Sequence, residues 1–471
     1  MYNAHPHFVC FPSVVHAGKE ATITVYPTDT SRRFREGMPY KLTVFGLVDD
    51  QLDYQSPDRA EHDFTIEGGC LRFTHNFDSE QEYRIRLTVG SDPVNLLSVY
   101  AVEEDLYKLR PLKGDLHSHC YYSDGADGLT MTPADYREEG FDFFALTDHN
   151  RMFTSRLAQK MYDGVELGMH IMAGEEVHTP GSSVHIVHAG GNHSICEQYI
   201  NSPDVFKDEI EAIEAELSHI PEQFRGRVAR ATWTCRKAHE AGGIAIFAHP
   251  FWAPDHYNVS DTLQDLLFEE RIFDAFELCG GISTKSVNQQ LALWQKHAMA
   301  GNRLNVVGSS DSHHHNIEKE QCGFGHRFTL VFARENATPA ILEAIKSGYS
   351  VAAELPIDKT GDVRFYGDLR LVTFAQFLYE NYFAHTWKLC IIEGILMRRW
   401  ALGEDVGKIL TALAPSVENY YKRFYGLTPA PVLSERQTAF LDEALAQQQA
   451  GPLTKGSHIY IYSNNSNKRR E

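Results

Sequence analysis

Histidine and carboxylate side chains collect at the ends of several predicted strands. His117 and His119 stand two residues apart after the first of these strands, and Asp311 and His313 repeat the spacing after the last one. Because alternate residues of a strand face the same side, each pair can direct both side chains to one metal ion. Imidazole and carboxylate groups together suit borderline divalent metals such as zinc, manganese or iron.

Further ionisable groups lie between these two pairs, in the segments Ser123-Asp124-Gly125, Thr147-Asp148-His149, Gly174-Glu175-Glu176, Val184-His185 and Ala248-His249-Pro250. A single histidine at a strand end is usually an ordinary, hydrogen-bonded polar residue. Burying so many ionisable groups without a cation would be costly, so the whole set predicts a metal centre. Asp115 and Asp148 adjoin it and are interpreted as groups that orient a histidine, with solvation or helix capping as the alternative for Asp148.

The elements that must position these residues change along the chain. Residues 1–108 contain short alternating strands and predict a β-sandwich-like domain. From 109 to 356, apolar runs alternate with helical stretches, which indicates a parallel sheet, open or closed into a barrel. Residues 357–462 form a predicted helical region, and residues 463–471 a disordered tail.

The motifs, in this order, closely resemble those of the PHP (polymerase and histidinol phosphatase) family over about residues 111–356, roughly half of the chain. The resemblance implies an α/β fold, a distorted barrel of seven β/α units. It implies nine metal ligands, divided among one position with His117, His119, Glu176 and Asp311, a second with Asp124, His149 and His313, and a third with His185, His249 and the bridging Glu176. The family pattern favours Glu176 over its neighbour Glu175, and His185 over the nearby His188.

The resemblance also implies a metal-dependent phosphoesterase that hydrolyses a small phosphorylated metabolite, by preference a phosphomonoester, through hydroxide activated by two or three divalent ions. Asp148 and His256 are the candidate catalytic residues besides the ligands. His256 is a candidate proton donor to the leaving oxygen, as are His188 and His314, because each follows a ligand motif. A nuclease-type phosphodiesterase, an amidohydrolase-like C–N hydrolase and a metal-stabilised scaffold stay open as alternatives.

The composition limits the classes of partner that the chain is expected to bind. The formal net charge of -19 argues against non-specific binding of nucleic acid, which needs a basic surface. The eight cysteines are scattered without a CxxC pair and predict free thiols. No signal peptide or membrane span is evident, so a cytoplasmic protein is expected. The expected partner is a small-molecule substrate, and a homo-oligomer stays open.

Overall fold

The structure is a computed structural model that describes residues 7–29, 32–47, 61–89, 92–253, 258–281, 283–315, 324–355 and 362–450. The chain divides into two compact units, one of Leu109–Val417 and one of Tyr2–Lys108 with Glu418–Glu471. The predicted tail, 463–471, lies outside the described residues. Within the described ranges, no helix has the length and apolar character needed to cross a membrane.

The unit that contains Tyr2–Lys108 has two four-stranded sheets. In spatial order, one sheet comprises β1 (Phe8–Phe11), β3 (Lys19–Pro27), β6 (Cys70–Phe77) and β5 (Thr65–Glu67), and the other β2 (Val14–His16), β8 (Asp92–Val102), β7 (Gln81–Val89) and β4 (Tyr40–Gly46). Alternate residues of β7 (Tyr83, Ile85 and Leu87) are buried. Buried side chains of both sheets form one apolar cluster, the arrangement of a sandwich.

The other unit is a mixed α/β structure with two further sheets. In spatial order, the six-stranded sheet comprises β11 (His170–Met172), β10 (Phe143–Ala145), β9 (Arg110–Asp115), β17 (Arg327–Ala333), β18 (Ser350–Glu354) and β19 (Arg364–Tyr366). The five-stranded sheet comprises β12 (Gly174–Val177), β13 (Ile186–Ala189), β14 (Ile244–Phe247), β15 (Ala275–Cys279) and β16 (Asn305–Gly308). The strands β10 and β14 lie within two of the predicted apolar runs, 142–147 and 243–248, and β15 and β16 match the runs 274–278 and 304–307 but extend one residue beyond their C-terminal ends.

Neither of these sheets closes on itself among the described residues, so the strand pairing does not show the expected barrel of seven β/α units. Antiparallel pairs interrupt the parallel order, because β13 runs opposite to both β12 and β14, and β17 runs opposite to β9. The two sheets approach each other through isolated bridges, Ser118 to Ser312 and His149 to Glu176. Both bridges lie at or next to predicted ligands, since His149 and Glu176 form one and Ser118 and Ser312 flank ligands in the other.

Helices pack beside these strands, and α6 (Glu222–Glu240) ends before Gly242, whose φ of 78° suits the position after a helix end. A buried ion pair joins α2 (Thr132–Glu138) to α11 (Ala384–Ala401), with Arg137 Nε donating to Glu393 at 2.8 Å. The seven described cysteines are buried and free, as predicted. The α-helices are α1 (Glu104–Tyr107), α2 (Thr132–Glu138), α3 (Phe153–Met161), α4 (Cys196–Asn201), α5 (Pro203–Glu216), α6 (Glu222–Glu240), α7 (Asp261–Glu269), α8 (Thr284–Met299), α9 (Thr338–Lys346), α10 (Leu369–Leu378), α11 (Ala384–Ala401), α12 (Gly407–Leu413), α13 (Ser416–Phe424) and α14 (Glu435–Ala450), with a π-helical turn at Tyr379–Phe383.

Candidate metal centre

The segment that contains His117 and His119 lies beside the segment that contains Asp311 and His313. Beyond β9 and β16, the backbone of His119 donates to Ser312 O at 2.8 Å, and that of Asp311 donates to His117 O at 3.0 Å. The buried Asp115 accepts hydrogen bonds from the backbone amides of His117 (3.0 Å) and Ser310 (3.1 Å), which holds the two segments together. Asp115 thus positions ligand backbones and not an imidazole ring.

Glu176 lies at the middle of the predicted ligand set, and its side chain is fully buried. Its Oε2 is 2.7 Å from His149 Nδ1, 3.4 Å from His117 Nε2 and 3.5 Å from His119 Nε2. Its Oε1 is 3.1 Å from His185 Nδ1 and 3.3 Å from His249 Nε2. The two carboxylate oxygens therefore face two different groups of imidazoles, which fits a bridging ligand.

Asp311 and Asp124 complete the set on either side of Glu176. Asp311 Oδ1 is 3.0 Å from His119 Nε2 and 3.3 Å from His117 Nε2. Asp124 Oδ2 is 3.1 Å from His149 Nε2, and its Oδ1 is 3.3 Å from His313 Nε2. The structure thus brings all nine predicted ligands together. The side chain of Asp124 is 55% exposed, whereas those of His117, His119 and Glu176 are fully buried, so the centre opens on the Asp124 side.

The chemistry of these donors fits divalent metal ions. His117 Nε2, His149 Nδ1, His185 Nδ1 and both oxygens of Glu176 are buried without a hydrogen-bond partner, although they approach one another closely. Polar atoms buried in this way cost free energy unless something satisfies them. A cation between carboxylate oxygens and imidazole nitrogens satisfies both kinds of atom, and the mixture suits zinc, manganese or iron.

The pKa shifts show how strongly the acids and imidazoles interact. Burial raises the pKa of Glu176, but the charges of neighbouring histidines, His117 first among them, outweigh burial and bring it well below its usual value. Burial lowers the pKa of His117, but the carboxylates of Asp311, Glu176 and Glu277 raise it well above its usual value. Ligand imidazoles must be neutral, so a bound metal takes the place of such protons.

Glu277, on β15, supports the centre, and the sequence analysis did not assign it a role. Its buried Oε2 lies 2.9 Å from His117 Nδ1 and can accept the proton of that nitrogen, which leaves Nε2 directed at Glu176 and Asp311. A carboxylate in this position fixes the tautomer and the ring orientation of a ligand histidine. The signal was present, because Glu277 is a carboxylate close to the C-terminal end of an apolar run, as several of the predicted ligands are.

Asp148 is buried, and its Oδ1 accepts from the backbone amide of Cys120 at 2.8 Å and from Ser123 Oγ at 2.6 Å. It holds the loop that leads to Asp124, and its described hydrogen bonds do not include a histidine. A catalytic role for Asp148 stays a prediction.

The structure separates the neighbouring pairs that were ambiguous in the sequence. Glu175 faces away from Glu176, as adjacent residues of a strand do. It accepts from Ser194 Oγ at 2.6 Å and from the amide of Ile195 at 2.5 Å, and it lies 3.3 Å from His188 Nδ1. Glu176 and His185 are therefore the members that reach the centre.

Of the candidate proton donors, His188 is engaged with Glu175, and His256 lies outside the described residues, so its role stays a prediction. The partly exposed His314 has its Nδ1 3.9 Å from Asp127. The sequence analysis missed His178, which follows Glu176 by two residues and lies 3.2 Å from it. The i, i+2 spacing that revealed His117 and His119 would have identified it.

No protein-family model and no curated protein match the chain. The matching solved structures include three bacterial proteins of related description. A two-domain Bacteroides vulgatus protein containing a predicted PHP-like metal-dependent phosphoesterase is 19% identical, with a TM-score of 0.38, over 58% of this chain and 71% of that one. A provisionally assigned metal-dependent phosphoesterase from Bifidobacterium adolescentis is 18% identical, with a TM-score of 0.30, over 42% and 87%. An amidohydrolase from Chromobacterium violaceum is 19% identical, with a TM-score of 0.30, over 44% and 89%.

The structural neighbours of the chain thus include two metal-dependent phosphoesterases, one of them described as PHP-like, which is the family that the motifs resemble.

Proposed function

We propose that the chain is a metal-dependent phosphoesterase that hydrolyses a small phosphorylated metabolite, a phosphomonoester, with two or three divalent ions held by the nine ligands. The observation that supports this most directly is the position of Glu176, whose two oxygens face separate groups of imidazoles. A carboxylate between two donor groups is suited to hold two ions close together. When bound, such ions supply Lewis-acid stabilisation of phosphoryl oxygens and an activated water.

The charge of the ligand set favours an anionic substrate. Asp124, Glu176 and Asp311 are its carboxylates, and the other ligands are imidazoles, which bind metals in their neutral form. Two divalent ions therefore outweigh the three ligand carboxylates, and a third ion keeps the centre cationic even when the buried Glu277 is counted, in a chain of net charge -19. Local positive charge of this kind attracts a phosphoryl group and stabilises the charge that develops on it.

The residues of the chain itself orient this chemistry. Glu277 and Asp115 keep His117 in place through its ring and its backbone amide, and Asp148 holds the loop before Asp124. The half-exposed Asp124 marks the side from which a substrate approaches. This supports access for the terminal phosphate of a small molecule.

The test combines elemental mass spectrometry with phosphate release from a panel of phosphomonoesters. We expect two or three ions per chain in the wild type, and loss of both metal and turnover in His117→Ala. His193→Ala is the matched control, since this exposed histidine lies outside the centre. Metal binding with cleavage of phosphodiesters or C–N bonds alone would contradict the phosphomonoester assignment. A chain that binds no metal would refute the proposal as a whole.

A further inference from the structure

His178 adds a donor to the group around Glu176 Oε1. Its Nε2 is 3.2 Å from that oxygen, beside His185 Nδ1 at 3.1 Å and His249 Nε2 at 3.3 Å. The His178 and His185 rings stack with their centroids 3.8 Å apart. Three imidazole nitrogens and one carboxylate oxygen thus converge on one point.

Among the described residues, no hydrogen bond engages the donor atom of His178. Its Nε2 is buried and lacks a hydrogen-bond partner, as does His185 Nδ1. Two neighbouring imidazole nitrogens that both point at one carboxylate oxygen without hydrogen-bond geometry are costly to bury. A cation bound to all of them removes the cost.

The backbone on either side of this imidazole is fixed. The amide of His178 donates to Asn150 Oδ1 at 2.8 Å, and its carbonyl accepts from Tyr199 Oη at 3.2 Å. The same hydroxyl donates to Asn150 Oδ1 at 2.8 Å. Asn150 directly follows His149 and adopts a φ of 56°, a left-handed conformation that asparagine tolerates. A histidine whose backbone is held in this way is pre-organised for coordination.

We propose that His178 is a tenth metal ligand, which completes a position made of His178, His185, His249 and Glu176 Oε1. Three nitrogens and one oxygen form the four-donor set that zinc prefers, and manganese favours sites richer in oxygen. This position then takes zinc or iron(II) in preference to manganese and retains it more firmly than the position around Asp124. The inference rests on the proposed metal centre.

The experiment counts the ions that the full-length chain retains after zinc loading and passage over a chelating resin. We expect His178→Ala to retain about one ion fewer than the wild type. His185→Ala should lose the same ion, and the double variant should lose no more, because both changes remove ligands of one position. His178→Gln, whose amide oxygen reaches about as far from the backbone as His178 Nε2, should restore part of the retention, and His193→Ala should behave as the wild type.

A second measurement distinguishes the loss of a metal ligand from misfolding of the variant. Cobalt(II) replaces zinc in the wild type and in His178→Ala, and the visible absorption of tetrahedral cobalt reports the geometry at this position. We expect that absorption to be lost in His178→Ala while the melting temperature of the metal-free protein stays unchanged. Equal ion counts and equal cobalt spectra in His178→Ala and wild type would overturn the assignment of His178. If the wild type itself bound no metal, the proposed function would fail instead.

Discussion

Glu277→Gln tests whether the buried carboxylate behind His117 tunes the metal centre. Glutamine has nearly the same shape, so the change removes the charge without leaving a cavity. The amide oxygen can still accept from His117 Nδ1, which lies 2.9 Å from the carboxylate in the wild type. What is lost is the part of the imidazole's basicity that the carboxylate supplies.

Changes of this kind typically weaken metal binding by about 10–100-fold. The retained hydrogen bond places Glu277→Gln at the lower end, a loss of about tenfold, or about 1.4 kcal/mol. Gly280→Ala provides a second perturbation without a change of charge, since a Cβ there would lie 1.8 Å from Glu277 Oε1 and displace the carboxylate. It should weaken binding in the same direction.

The assay is zinc titration against a competing chelator, followed by the rate of phosphate release at saturating metal. Glu270→Gln is the matched control, because Glu270 also pairs with a histidine, His219, at 2.7 Å but on the surface. The reasoning would be refuted by a zinc Kd for Glu277→Gln within about threefold of the wild type, a shift too small for a tuning carboxylate.

Three further predictions concern the stability that a buried ion pair contributes, the release of a proton on metal binding and the packing around a buried glycine. Arg137→Met should cost about 3–5 kcal/mol in urea denaturation, because Glu393 would be left buried and unpaired; a loss below about 1 kcal/mol would contradict this. Burial lowers the pKa of His149, but the carboxylates of Asp124, 3.1 Å from its Nε2, and of Glu176, 2.7 Å from its Nδ1, outweigh burial and raise the pKa to about 10. In metal-free protein this imidazolium therefore stabilises the fold below pH 6.5, the usual pKa, and that contribution is lost as the pH rises toward 10. Metal binding must expel the proton, so calorimetry in buffers of different ionisation enthalpy should show proton release and an affinity that increases with pH; a pH-independent affinity would argue against it. Gly308→Ala should destabilise the fold by about 1–3 kcal/mol in thermal unfolding, since the new Cβ would lie 2.4 Å from Phe328 O, and an unchanged melting temperature would show that the backbone there yields.

Local sequence patterns, together with the resemblance to the PHP family, were sufficient to predict the nine residues that meet at the centre. The pairs His117 with His119 and Asp311 with His313 depend on local spacing, which a strand translates directly into a shared face. The apolar runs that became β10, β14, β15 and β16 were visible for the same reason, since periodicity is a short-range property.

Only the tertiary structure decided how these residues meet. Sequence spacing does not tell that Glu176 separates two groups of imidazoles, or that Glu277 supports His117 from 160 residues away, because both depend on contacts between distant strands. The open sheets in place of a closed barrel have the same origin. Strand direction and pairing, such as β13 opposite β14, are set by which surfaces pack together, and that choice involves the whole unit.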